Sequence, residues 1–387
     1  MDFDPDDREL RIQRLARDLA VTQLAPLAAE RDRTAAFPER ELRALAQHGL
    51  LGVNVPATYG GAEAGMVAFS LAMQEIARAD ASVAVTMAVT NLVADVICRF
   101  GSEQQRRTYV PQITSGSAVA ASFAVSESQA GSDLAAMTTT AVRTATGWRI
   151  DGAKQWITSG DRAGVIVLGA KTNPQAGKKG ISAFIVAGGT PGMTAGKPEE
   201  KMGQRGSSTV PLVFDRCEVP ADALLGKEGE GLPLVYAALE GGRIGIASLA
   251  LGIGRAALDA ATRYAQERVQ FGAAIATFQA IQFLLADVAT EHDAGHLLTM
   301  RAARGKDLGR MVTREAAMAK LFASEAAGRA TDAAIQIMGA SGYMRKNPVE
   351  RLARDARVTR IYEGTSEVLR LVIARSLLEQ QGKTIPE

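Results

Sequence analysis

The chain has 387 residues, 47% of them hydrophobic, and 44 Lys+Arg against 42 Asp+Glu give a formal charge of only +2. That length allows two or three domains with ample core, and the balanced charge, without a run of five to eight basic residues, argues against nucleic acid as a partner. Two cysteines, Cys98 and Cys217, far apart in apolar or strand-like contexts, fit buried thiols of a reducing compartment better than a disulfide framework.

The N-terminal MDFDPDDREL is acidic and lacks an apolar signal core, so the expected location is cytoplasmic, or an organellar matrix after removal of a presequence. Ile12, Leu15 and Leu19 recur at helical spacing; Pro38 opens ERELRALAQ and Gly49 closes it. The uncharged run Ala81 to Ala94 ends at Asp95, too short for the roughly 18 to 20 residues of a membrane span, and predicts a helix buried on most sides. No membrane span is expected. Residues 1–117 therefore read as a helical N-terminal domain.

From Ala118 the texture changes to threonine, valine and glycine. AVAASFAVS, TTTAVRTATGWRIDG, GVIVLGAK, GISAFIVAGG and STVPLVFDRCEVP have strand length and turn punctuation, giving a β domain over residues 118–225. After it, periodic segments at Leu232–Gln266, Phe278–Ala303, Arg314–Met338 and Ser366–Leu378 predict a four-helix bundle within residues 226–387. The fold class is mainly α with a central β domain, and the alternating βα rhythm of a doubly wound sheet is missing.

That absence disposes of one motif. Gly252-Ile-Gly254-Arg-Ala-Ala257 matches a dinucleotide fingerprint, but it lies inside a helical segment, where its small residues predict close helix packing instead. His292 and His296 stand four apart on a helix without the intervening glutamate of a zinc protease or a further ligand set, so a surface or interface pair is expected and no metal. Serine-hydrolase, Cys-His and P-loop arrangements have no motif here.

Near the C-terminus, RIYEGTSEVLR places Glu363 between Tyr362 and Gly364, just before a helix that Thr365 or Ser366 could cap. Capping accounts for the Thr-Ser pair. Glu363 itself reads either as a helix-terminus charge or as a general base in a tight pocket, with the glycine admitting another molecule.

FAVSESQAGSD, KQWITSG, ERVQFG, QIMGASGY and IYEGTSE occur in this order, with LGVNVPATYGG and GGRIGIASLALGIG beside them. Together they resemble the acyl-CoA dehydrogenase family over nearly the whole chain, most of all its short-chain and short-branched-chain members. The resemblance implies that family's fold, with a barrel-like middle domain and a C-terminal four-helix bundle. It also implies FAD as cofactor and α,β-dehydrogenation of an acyl-CoA to the trans-2-enoyl-CoA, with electrons passed to electron-transferring flavoprotein. An acyl-CoA oxidase, or a dehydrogenase of carrier-protein-bound acyl groups, remains the alternative on this fold.

By the same resemblance Glu363 is the α-proton base, its backbone N–H helps hold the thioester oxygen, and flavin N5 takes the β-hydride. Relatives that carry the base elsewhere place it at the position held here by Gly242, which leaves Glu363. Glu240 would meet the pantetheine, Arg243 and Tyr362 would flank the substrate, Gly364 would leave room for the acyl group, and Ser132 would touch CoA as well as the cofactor. Phe123, Val125, Ser126, Gly131, Ser132, Trp156, Ile157 and Thr158 are the implied flavin contacts, although Trp156 alone would read as core. Arg268, Phe271, Gln279 and the run Gln336, Ile337, Met338, Gly339 and Ala340 would reach the adenosine diphosphate half from a neighbouring subunit, and Thr365, Ser366 and Glu367 would meet the flavin after the base. A homodimer or a tetramer built from two dimers follows. Ser128-Gln129 and Ala340 depart from the family's usual proline-containing turn and glycine.

Overall fold

The computed structural model describes residues 4–379. Six helices come first: α1 (Asp7–Leu19), α2 (Ala25–Thr34), α3 (Glu39–Gln47), α4 (Gly65–Ala79), α5 (Ala81–Phe100) and α6 (Glu103–Thr114). Caps set their starts. Asp6 and Glu9 form a reciprocal capping box on α1, Ser102 and Gln105 do the same on α6, and the Asp80 carboxylate accepts from the N–H groups of Ser82 and Val83 at the head of α5. Pro38 sits at the cap of α3, and Gly49 beyond its end adopts φ +74°.

Strands follow: β1 (Ala120–Ala124), β2 (Thr140–Arg143), β3 (Gly147–Thr158), β4 (Ala163–Lys171), β5 (Ile181–Ala187), β6 (Met193–Ala195), β7 (Thr209–Pro220) and β8 (Leu224–Leu225). Their hydrogen-bonded order is β6-β7-β3-β2-β4-β5-β8, with β1 added parallel to β4. β3 runs through KQWIT, further than its valine and threonine content predicts, because β7 pairs with it from Gly147↔Pro220 to Thr158↔Thr209. The register slips between Lys154 and Ile157, and Trp156 takes φ +59° there, so a bulge turns the indole out of the ladder.

The chain then returns to helices: α7 (Gly231–Glu267), a small hairpin of β9 (Val269–Gln270) and β10 (Ala273–Ala274), α8 (Gln279–Asp307), α9 (Thr313–Met338), α10 (Ala340–Tyr343), α11 (Pro348–Arg357) and α12 (Ser366–Glu379). α7 is the axis, packing on α9 and α8 on one side and on α4 and α5 on the other. A Cβ on Gly252 would lie 2.4 Å from the Gln74 carbonyl of α4 and one on Gly254 3.6 Å from Ala327 of α9, so the apparent fingerprint is a helix-packing stripe.

α5 and α7 are long and apolar enough to cross a membrane, but 83% and 72% of their most apolar windows are buried against protein, which makes them core helices. Cys98 and Cys217 are free thiols. His292 and His296, expected as a surface or interface pair, lie on α8. Both are half-buried, His296 Nδ1 lies 3.1 Å from Gln74 Oε1, and burial pulls the basicity of both rings down.

Candidate active site

The chain between α11 and α12 makes a 3-10 turn at Val358–Arg360 and then bends sharply, with Glu363 at φ +56° and Gly364 at φ +98°. A left-handed conformation is natural for glycine and costs a glutamate roughly 1 to 2 kcal/mol, so other contacts must hold it. Lys320 Nζ donates to the Gly364 carbonyl at 2.6 Å. Thr365 Oγ1 accepts from Val368 N–H at 3.3 Å and caps α12, whereas the buried Ser366 turns its hydroxyl to Glu325 Oε1 at 2.8 Å. Glu367 is exposed.

This turn lays the Glu363 carboxylate over the second glycine of Gly241-Gly242 in α7. A Cβ built on Gly242 would stand 2.4 Å from Glu363 Oε2. Oε2 is buried and has no hydrogen-bond partner, although other atoms of the residue remain accessible. Burial raises the Glu363 carboxyl above its usual range, opposed by the cations of Arg243 and Lys320. Arg243 is itself buried, with its Nε unpartnered. Both side chains thus keep hydrogen-bonding capacity unused, and Glu363, unlike Arg243, lines a cavity.

That cavity runs from Glu363 between α4, α5 and α7, past Gly242, Gly245 and Ile246 on one wall and Met66, Phe69, Ala88 and Leu92 on the other. Its walls are largely apolar. Phe69 packs beside Gly245, where an added Cβ would meet Phe69 Cε1 at 3.3 Å.

One residue expected at the substrate lies differently. Tyr362 turns its hydroxyl to Gln204, which donates to it from Nε2 at 3.0 Å, in a polar cluster with the buried Asp355. It buttresses the base from behind and does not line the cavity. Glu240, half-buried two residues before Gly242, accepts from the Thr313 hydroxyl of α9.

The second group of expected residues gathers around the end of β1 and the bulge of β3. Phe123 and Ser126 are half-buried, Val125 is buried, and Gly131 and Ser132 are exposed, with open space where a Gly131 Cβ would point. Gln155 N–H donates to the Ser126 carbonyl at 2.9 Å and Ser122 Oγ to the Thr158 carbonyl at 2.7 Å, which ties this loop to β3. Trp156 is 53% exposed, an indole with an uncovered face, contrary to the core reading its type alone invites. Ile157 is a correction: its side chain goes into the sheet core, so only its backbone can serve a ligand.

A third group sits where α7 ends and α9 gives way to α10, ends joined by the Tyr264–Ser341 hydroxyl contact at 3.4 Å. Arg268, Gln279, Gln336, Gly339 and Ala340 are exposed there, and Phe271 is 96% exposed. Ile337 and Met338 face the core, so they too could offer a ligand only backbone. No recorded hydrogen bond or ion pair joins this group to the β1–β3 group among the described residues.

The sequence matches the acyl-CoA dehydrogenase N-terminal domain over residues 6–117, the middle domain over 122–217 and the C-terminal domain over 229–378. The chain belongs to the acyl-CoA dehydrogenase family. It is 46% identical over 375 residues to the short-chain specific acyl-CoA dehydrogenase, mitochondrial, of Homo sapiens, covering 97% of this chain and 90% of that one. The structure of butyryl-CoA dehydrogenase from Megasphaera elsdenii superposes with a TM-score of 0.96 at 39% identity, covering 98% and 100% of the two chains. A chain solved in work on the electron transferring flavoprotein of Acidaminococcus fermentans superposes with a TM-score of 0.96 at 40% identity, with the same coverage.

As an acyl-CoA dehydrogenase the protein is an oxidoreductase, and FAD is its cofactor. Its residues fit that group: the uncovered indole of Trp156 and the open floor at Gly131 suit a planar ring system, Ser126 and Thr158 carry hydroxyls, and the exposed Arg268 guanidinium suits a pyrophosphate.

Three buried charges escaped the sequence reading: Lys154, Glu127 and Lys320. Lys154 and Glu127 form an ion pair of 2.7 Å with both side chains almost fully buried. Glu127 also accepts from Thr138 N–H at 2.6 Å, Thr139 N–H at 3.1 Å and Gln129 Nε2 at 2.8 Å. Gln129 thus pins the loop with its side chain. The signal was there in the pattern: Lys154 occupies an inward position of β3 in step with Trp148 and Ile150, and Lys320 shares the buried stripe of α9 with Ala316, Ala323 and Ala327.

Proposed function

We propose that this acyl-CoA dehydrogenase oxidises short straight or branched acyl-CoA thioesters to trans-2-enoyl-CoA, with Glu363 as the base and electron-transferring flavoprotein as the electron acceptor. One observation carries the reading: a carboxylate whose buried Oε2 has no hydrogen-bond partner lines a largely apolar cavity. An acyl tail in that cavity would bring its α-carbon beneath Glu363, and we assign the floor to Phe69, which packs against Gly245 and would favour a short tail. The α-proton passes to a Glu363 oxygen while the β-hydrogen leaves with its electron pair from the opposite face, and the two carbons become doubly bonded. FAD, when bound, supplies the acceptor for that hydride.

Burial suits Glu363 to this work. Because desolvation raises its proton affinity, it is a stronger base once ionised, and Arg243 keeps the ionised form accessible. Among the described residues the Glu363 N–H meets no hydrogen-bond acceptor, and it is the donor we assign to the thioester oxygen, whose polarisation acidifies the α-proton. Short-chain specificity is supported by the 46% identity already noted, and the acceptor by the likeness to the chain from the flavoprotein work. We also assign Arg268, Phe271 and Gln336 to a dimer in which each subunit completes the partner's cofactor site; their exposure at one end of the bundle supports this.

The test is anaerobic mixing of FAD-loaded protein with butyryl-CoA, palmitoyl-CoA and glutaryl-CoA. Flavin absorbance should bleach fastest with butyryl-CoA or a short branched analogue. Preference for palmitoyl-CoA or glutaryl-CoA would overturn the substrate assignment, and rapid re-oxidation of bleached enzyme by O₂ in an oxygen electrode would overturn the assignment of the acceptor.

A further inference from the structure

Beside Glu363 lies a charged group to which the proposed reaction has given no part. Lys320 on α9 is 0% exposed, and its recorded hydrogen bond goes to a single neutral acceptor, the Gly364 carbonyl, at 2.6 Å. It forms no ion pair among the described residues. A buried ammonium so poorly compensated weakens the fold relative to a methionine of similar shape, so its presence calls for another benefit. The charges facing it are Glu363 on the turn, Arg243 on α7, Glu325 on its own helix and Glu367 on α12. Glu325 is already engaged by Ser366 and Arg360, and Glu367 is exposed. Glu363 is the anion whose buried Oε2 is left without a hydrogen-bond partner.

We propose that Lys320 is a positioning residue for the dehydrogenation: its ammonium clamps the Gly364 carbonyl, holds the left-handed Glu363–Gly364 turn that aims the carboxylate over Gly242, and favours the ionised, basic form of Glu363. The proposal rests on the reading of Glu363 as base. Two consecutive residues at positive φ, one of them a glutamate, need an external hold, and the carbonyl of the second is the atom that Lys320 grips. The same charge lowers the proton affinity of Glu363 while burial brings Lys320 itself down to about 8, so the pair is mutually tuned.

The experiment compares FAD-loaded wild type, Lys320→Met, Lys320→Gln and Glu363→Gln. Anaerobic flavin reduction by butyryl-CoA is followed across pH, and the Glu363 carboxyl band is titrated in the resting enzyme by infrared difference spectroscopy, with Glu363→Gln as blank. Lys320→Met should unfold no more readily than wild type, keep FAD, reduce at least about tenfold more slowly, and titrate Glu363 at higher pH because a nearby cation is gone. Lys320→Gln, which can still donate to Gly364, should show the same titration shift with a smaller loss of rate. An unmoved carboxyl titration in a folded variant overturns the proposal, whatever the rate, and so does failure of both variants to fold with FAD, which would make Lys320 a stability residue. Normal reduction by Glu363→Gln would instead defeat the base assignment, whereas an inactive Glu363→Gln beside a normal Lys320→Met would defeat the clamp alone.

Discussion

The Glu363 carboxylate and the Gly242 backbone occupy one another's space: Oε2 stands 2.4 Å from where a Gly242 Cβ would be. Residues 242 and 363, far apart in sequence, thus converge on one point in space, where either could present a carboxylate to the same carbon. Gly242→Ala should therefore displace Glu363 and slow flavin reduction by an order of magnitude or more, since about 1 Å of misplacement can cost about 10²-fold. Gly242→Glu in a Glu363→Gly background should recover part of the lost activity. Stopped-flow reduction measures both, and a Gly242→Ala enzyme as fast as wild type would show that the carboxylate yields freely.

Glu363→Gln keeps the shape of the side chain and removes its basicity. Fold, FAD content and acyl-CoA binding should persist, while reduction falls by about 10² to 10⁴. The pH dependence follows from the raised proton affinity of the buried group. Wild-type reduction should climb with pH as Glu363 ionises, with its limb above the ordinary glutamate value of 4.5. Stability runs the other way. A carboxyl that binds its proton more tightly when folded loses stability as pH rises from its unfolded to its folded pKa, so Glu363→Gln should flatten that decline in thermal melts.

The Glu127–Lys154 pair should respond asymmetrically to substitution. Removing Glu127 strands a buried ammonium with little beyond the Val125 carbonyl at 3.4 Å, whereas removing Lys154 leaves Glu127 with the donors of Thr138, Thr139 and Gln129. Glu127→Gln should cost about 3 to 5 kcal/mol, as for other broken buried pairs, and Lys154→Met clearly less. Lys154 and the other donors hold Glu127 down at about 2, so its contribution is present above its unfolded value and is lost as pH falls through about 2. Denaturant titrations of the two variants decide it, and equal losses would contradict the donor count.

Much of this architecture was legible because periodicity reports burial directly. The four long helices and the five main strand segments fall where apolar spacing placed them, and Thr365 caps α12 as its type predicts. What stayed hidden depends on partners distant in sequence. The last turn of β3 is a strand only because β7 lies beside it, Tyr362 points away from the cavity because Gln204 and Asp355 draw its hydroxyl, and Ile337 and Met338 serve the core within a stretch whose neighbours face outward. Lys320 broke the apolar rhythm of α9, a signal legible only when a helix is known to be packed on every side.

Arg268→Ala tests the shared cofactor site. Arg268 is exposed in the single chain, so its removal should leave the subunit fold intact. If it binds pyrophosphate across a dimer, the variant should lose FAD by dialysis, because truncating a charged donor paired with a buried charge costs about 2 to 5 kcal/mol. Absorbance at the flavin maximum and light scattering after size exclusion give cofactor content and mass together. A monomer that retains its full FAD would sink the arrangement.

Phe69→Ala probes the cavity floor. Phe69 Cε1 lies within 3.3 Å of an imagined Gly245 Cβ, so the ring fills the gap that the missing glycine side chain leaves between α4 and α7. Truncation should destabilise the protein by about 3 to 5 kcal/mol, the usual result of emptying a packed aromatic site. It should also lengthen the cavity and move the best substrate toward longer acyl chains. Each methylene that fits the new space adds about 0.8 kcal/mol of burial, so hexanoyl-CoA should gain on butyryl-CoA in kcat/KM. Gly245→Ala works in the opposite sense, crowding the ring toward the cavity and weakening even butyryl-CoA. If chain-length preference were unchanged in both variants, the floor would lie elsewhere, along Met66 or Leu92.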